Sequence, residues 1–190
     1  MTFALHGLPV SSGIAIGHAH LVSHTSLEVS HYQLPKHLVD EEVARLDAAL
    51  QATREELTGL RGHRPQLAAA EFDAFLDLHL MILGDEHISH AAREMVKTEH
   101  CNAEWALKTQ MDELVAQFEA FDDAYLRERK TDVIQVVERI LKVLGGHPGH
   151  VPPPSQHDTD MVLVAHDVSP ADLIQLKPHQ FCAILTDLGG

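Results

Sequence analysis

The sequence predicts an α+β protein in which an α-helical bundle is inserted into a small α/β domain. Three observations carry this reading. Between Lys36 and Gly146 the apolar residues recur at helical spacing through five successive segments. On both sides of that block, at 1–34 and 161–190, the chain turns to short β-type runs punctuated by glycine. Between the helical block and the last run lies HPGHVPPPSQHD (147–158), and three consecutive prolines can continue neither a helix nor a central strand. The expected organisation is therefore strands of an α/β domain at 1–34, a helical domain at 35–146, a linker at 147–160, and a further part of the α/β domain at 161–190.

Gly7, Gly13 and Gly17 frame Ile14-Ala15-Ile16 and the alternating run His18 to Val22, which reads as strand. Val39, Val43, Leu46, Leu50, Thr53, Leu57 and Leu60 then form a heptad seam along a first helix, with Glu41, Glu42, Arg45, Glu55 and Glu56 on its other faces. A second helix runs through Phe72, Phe75, Leu76, His79, Leu80 and Leu83, pausing at Gly84; a short third begins at Asp85. Asn102 stands as the N-cap of a fourth, with Glu104 in its first turn, followed by Trp105, Leu107, Met111, Leu114, Val115 and Phe118. The fifth opens on Asp122-Asp123 and closes on Gly145-Gly146. Leu126, Val133, Val137, Ile140 and Leu144 make one stripe along about six turns. Past the linker, Met161–Ala165 reads as a buried strand, Ser169-Pro170 with Asp172 as a helix start, and Phe181–Leu185 as another strand.

A chain of 190 residues with 45% hydrophobic content is long enough to build cores without disulfide staples. Lys+Arg 14 against Asp+Glu 28 gives a net charge of −14, which disfavours nucleic acid and anionic membranes and favours a partner with a basic face. Cys101 and Cys182 are widely separated and no CxxC occurs, as suits a reducing compartment. No run approaches the length of a membrane span, and MTFALHGLPVSSG lacks the basic start and apolar stretch of a secretory signal. A cytoplasmic protein is expected.

The 16 histidines suggest metal, with His18 and His20 on one strand face and His87 and His90 one turn apart. No HExxH and no repeated carboxylate–histidine set accompanies them, so no metal site is expected. GLPVSSGIAIG has neither the GK[ST] ending nor the GxGxxG spacing of a phosphate loop. No GxSxG occurs and neither cysteine neighbours a base, so no catalytic residue is assigned from the residues alone. One feature exceeds packing needs: Phe118, Phe121, Tyr125 and Arg129 form an aromatic and basic cluster where the last helix begins.

Four ordered segments, SSGIAIGHAHLV, HLMILGDEHI, DDAYLRERKTDV and VLVAHDVSPADLIQL followed by AILTDLGG, resemble Enzyme I of the bacterial phosphoenolpyruvate:sugar phosphotransferase system. The resemblance implies an HPr-binding type of helical bundle inserted into a swivelling phosphohistidine domain, cut short at the C-terminus. In the family, phosphoryl passes from phosphoenolpyruvate to the enzyme's own histidine and then to the carrier HPr. The family's histidine follows the T-D-x-G-G segment, about four positions past Gly190, so these 190 residues alone are expected to be inactive. The Mg²⁺-dependent barrel and the homodimer contacts are expected in a C-terminal half. Carried over position by position, the HPr-docking surface comprises Ala74, Met81, Ile82, Asp85, His87, Ile88, Phe118, Phe121, Tyr125, Leu126 and Arg129. His87 and Leu173 differ from the family's usual acidic and hydroxyl residues. Two other readings are a related swivelling-domain dikinase, for which no ATP-grasp region is present, and a non-catalytic helical adaptor for an HPr-like protein.

Overall fold

A computed structural model describes residues 6–22, 29–63, 69–146, 161–165, 168, 171–172 and 181–187. The chain forms two compact units, one from 1–25 with 151–190 and one from 26–150. The first is built on three parallel strands in the order β1 (His18–Val22), β2 (Met161–Ala165) and β3 (Phe181–Thr186). His18 pairs with Met161 and Val22 with Ala165, while β2 to β3 carries a register irregularity at Met161/Val162. Adjacent parallel strands need a crossover connection, and the whole second unit lies within the one joining β1 to β2. In central β2 the alternating Met161, Leu163 and Ala165 are buried. Ile14 and Ile16 are outside any strand and almost fully exposed, so the expected β-run is confined to His18–Val22. Ser169-Pro170 and the 147–160 linker lie outside the described residues.

The second unit contains α1 (Val39–Leu60), α2 (Ala69–Leu83), α3 (Glu86–Glu99), α4 (Ala103–Glu119), α5 (Ala124–Glu128) and α6 (Lys130–Leu144). The heptad seam of α1 is its buried face, with Leu46 and Leu57 completely enclosed and Val43 half-buried. Helix α1 packs on α2, α3, α4 and α6, so it runs through the centre of the unit. Leu76, Leu83, Ile88, Val96, Leu107, Val136, Val137 and Ile140 fill the space around it. Burying side chains of this size contributes roughly 1.5–3 kcal/mol each, the main stabilisation of the unit.

The boundary between units falls at 25/26 and not at 34/35. The 30–34 segment is tied to the α3–α4 corner, where His100 adopts φ 55. Leu34 N donates to His100 O (2.6 Å), Gln33 bridges Cys101, and Tyr32 N donates to Asn102 Oδ1 (3.2 Å). Asn102 therefore holds the incoming chain instead of capping α4. The capping bond comes from another helix: Ala103 N donates to Glu42 Oε1 of α1 at 2.7 Å. Arg45 closes this corner, donating to Glu42 (2.7 and 3.0 Å), to both Glu104 oxygens (2.8 Å each) and to Leu144 O at the end of α6. A cation at a helix C-terminus also suits the helix dipole.

Two helices differ from expectation. Helix α3 is 14 residues long, not a short segment, because its apolar positions Ile88, Ala92 and Val96 continue at i, i+4, i+8 beyond the quoted motif. The expected single helix from Asp123 to Leu144 is broken at Arg129. There Arg129 N donates to Leu126 O, a tightened i→i−3 turn, and α6 starts anew.

Candidate functional site: a docking surface on the helical unit

Two corners of the helical unit carry the residues that the sequence singles out. At the α2–α3 corner, Asp85 is the N-cap of α3 and accepts from His87 N at 2.7 Å, which exposes both side chains to solvent. Met81 is 66% exposed, Ala74 is exposed and Ile82 is half-buried. Ile88 departs from the expected docking set: it is 1% exposed and packs as core, because position N3 of α3 turns it inward.

At the α4–α5–α6 corner, Phe118 and Phe121 meet edge to face with centroids 5.9 Å apart. Asp123 caps α5, accepting from Tyr125 N at 2.8 Å, and so fixes Tyr125 and Leu126 on its outer side. Arg127 donates to the carbonyls of Phe121 and Asp122, both at 2.9 Å, and closes the turn. Phe121 (45%), Tyr125 (60%) and Leu126 (37%) are exposed, so Leu126 leaves the buried stripe of α6, whose members are Val133, Val137 and Ile140. Arg129 lies with its Cζ 4.4 Å from the Tyr125 ring centre, donates to the Tyr125 hydroxyl, and donates to Asp132 Oδ2 at 3.1 Å. The Tyr125 hydroxyl and the Asp132 carboxylate push the guanidinium further above its already high ordinary pKa, making it a fixed cation.

Helices α2 and α6 pack on one another, and His79 and Asp132 meet between them, Nε2 to Oδ1 at 3.6 Å. The His79 ring lies against Phe75, tilted by 44° with centroids 3.9 Å apart. Burial would raise the Asp132 carboxyl, but His79 and Arg129 outweigh it and hold it below the ordinary aspartate range. Sequence reasoning placed His79 in the apolar stripe of α2 and gave Asp132 no role. The signal available was a histidine four residues after Phe75 on that stripe and an aspartate three after Arg129. The structure joins Phe118 to Phe121 and Tyr125 to Arg129, and links Arg129 through Asp132 to α2.

Among the described residues no three His, Cys, Asp or Glu side chains converge as a metal set would. No described helix is long and apolar enough to cross a membrane.

Residues 6–129 match the family model described as PEP-utilising enzyme, N-terminal. A phosphoenolpyruvate-protein phosphotransferase of Cupriavidus necator is 48% identical over 197 residues, covering 100% of this chain and 34% of that protein. The protein of the same description from Enterococcus faecalis is 36% identical, covering 100% and 32%. Among solved structures, an NMR solution structure of Enzyme I superposes with TM-score 0.72 at 28% identity, covering 95% of this chain and 72% of that one. A structure titled N-terminal domain of Enzyme 1 - Nitrogen gives 0.70 at 25% identity, covering 96% and 74%. The chain spans about a third of the length of the curated relatives it matches.

Proposed function

We propose, for a chain that belongs to the PEP-utilising enzyme N-terminal family, that its helical unit docks the phosphocarrier HPr for phosphoryl transfer begun at phosphoenolpyruvate. One observation carries the reading most: Phe121 and Tyr125 stand exposed at a helix corner, with the Arg129 guanidinium lying over the Tyr125 ring. Aromatic residues around one arginine are the composition of an interface centre. Exposed Met81 on packed α2 adds an adaptable apolar contact. The net charge of −14 would steer a carrier with a basic face. The names of the curated relatives supply the reaction, phosphoenolpyruvate-protein phosphotransfer, and the setting is read as cytoplasmic.

Calorimetric titration with HPr tests the docking. Micromolar affinity is the expected scale for a transient contact. Arg129→Ala and Phe121→Ala are each expected to weaken binding by about 1–3 kcal/mol, while Glu55→Ala, on an exposed face of α1, changes it by less than about 0.5 kcal/mol. Parent-like affinity in both folded corner variants would overturn the reading. The 190 residues alone are taken as a docking module without transfer activity, so HPr mixed with this chain and phosphoenolpyruvate should stay unphosphorylated; accumulation of phospho-HPr would refute that.

A further inference from the structure

His79 is only 1% exposed; among the described residues neither ring nitrogen makes a hydrogen bond, and Nε2 stops just short of one, 3.6 Å from Asp132 Oδ1. Unpaired polar atoms in a core are rare and costly, so an imidazole kept there invites an explanation. The Phe75 ring lies against it, tilted by 44°. The ionisable group facing it is Asp132 of α6, 3.6 Å away, which is beyond a made hydrogen bond but within ion-pair reach. Several other charged groups of the packed helices have contacts elsewhere. Arg139 of α6 pairs with Glu56 of α1, Arg54 of α1 lies against Gly84, and Asp77 of α2 pairs with Arg61.

Asp132 divides its carboxylate between the core and the surface. Oδ1 faces His79, while Oδ2 receives Arg129, which lies over Tyr125 on the docking corner. A neutral imidazole offers one N–H donor and one acceptor; a protonated one offers two donors and a positive charge. Protonation would convert the 3.6 Å contact into an ion pair and draw Asp132 towards the core. The competing bond to Arg129 would then weaken. We propose that His79 is a positioning residue that acts through Asp132 on Arg129, so that one proton in the core sets how firmly the docking arginine is held.

The inference rests on the docking reading for its use, but the coupling itself is internal to this chain. With His79 neutral, Asp132 keeps Arg129 to itself, and a partner's carbonyl or carboxylate must compete for the guanidinium. With His79 protonated, Arg129 is released to such an acceptor. HPr binding should thus be tighter with His79 protonated than with it neutral, and should tighten as pH falls. Thermodynamic reciprocity adds that bound HPr should make His79 easier to protonate.

The experiment follows the Arg129 Nε–Hε resonance and the ring nitrogens of His79 by NMR from pH 8 to 5, first in the unaltered chain alone. The Arg129 signal is expected to move with the same midpoint as the His79 ring, and to lose that step in His79→Gln and in Asp132→Asn. An Arg129 signal that stays still while His79 titrates overturns the proposal, with no variant needed. So does a step that persists in folded His79→Gln. A second arm measures HPr affinity at both ends of the range for the parent and His79→Gln. HPr's own titration enters both and cancels in the ratio, which should favour low pH in the parent by a factor on the order of five. If Arg129 follows His79 but HPr binds neither protein, the docking reading falls and the coupling stands. If HPr binds both with equal pH dependence, the proposed link to docking falls.

Discussion

Glu104 shows how a half-buried carboxylate is kept charged in this protein. Burial alone would raise its pKa; the forked bonds from Arg45 and the bond from Asn102 outweigh that and lower it. A group whose folded pKa lies below its unfolded value binds fewer protons when folded, so it adds stability above the unfolded value. That contribution is lost as pH falls through the folded value. The Glu104 contribution to stability should therefore be level above about pH 5 and decline below about pH 4, the unfolded glutamate range. In Glu104→Gln the neutral-pH stability should drop by about 1–3 kcal/mol, with a shallower acid decline. Denaturant titrations at pH 7 and pH 3.5 check both, and an unchanged acid slope would contradict the assignment. At this scale the cluster of exposed Phe121 and Tyr125 with half-buried Arg129 was legible in the sequence, because aromatics at a helix start serve no stripe. His79 was not, since a histidine on an apolar stripe looks the same in sequence whether or not its nitrogens are paired.

The α2–α3 corner separates side chains that sequence proximity groups together. Met81 and Ile88 lie in one motif, HLMILGDEHI, yet one is 66% exposed and the other 1%. The turn at Gly84 and the Asp85 cap reset the helical phase between them, so a continuous 3.6-residue count fails across the corner. Two substitutions should therefore behave oppositely. Ile88→Ala should cost about 2–5 kcal/mol of stability while the folded fraction keeps its HPr affinity. Met81→Ala should change stability by less than about 0.5 kcal/mol and weaken docking. Thermal melts alongside binding measurements would distinguish them; a loss of docking in folded Ile88→Ala with none in Met81→Ala would reverse the assignment. Element positions were readable from the α1 heptads, the α6 stripe and the glycines that end it. The capping of α4 by Glu42 was hidden because that bond joins positions 61 residues apart in the chain. The break at Arg129 was hidden as well, because α5 and α6 share one apolar period and only the tightened turn divides them.

At the scale of the molecule, a unit with six α-helices among its described residues occupies the crossover between two adjacent parallel strands. The switch from strand-type to helix-type periodicity and back made that insertion legible. The position of the boundary was less so. Residues 30–34 look extended and follow the strands, but their backbone bonds go to the α3–α4 corner, a long-range pairing that no local pattern announces. The central claim is that docking belongs to one face of this helical unit, assembled from the α2–α3 and α4–α6 corners. The most direct test is to add unphosphorylated HPr to ¹⁵N-labelled chain and map its backbone amide shifts. The account predicts perturbations concentrated at 81–87 and 118–132, with the exposed α1 positions around Glu55 and the strands β1–β3 unmoved. Perturbations centred on β1–β3 or on α1, or none at saturating HPr, would contradict it.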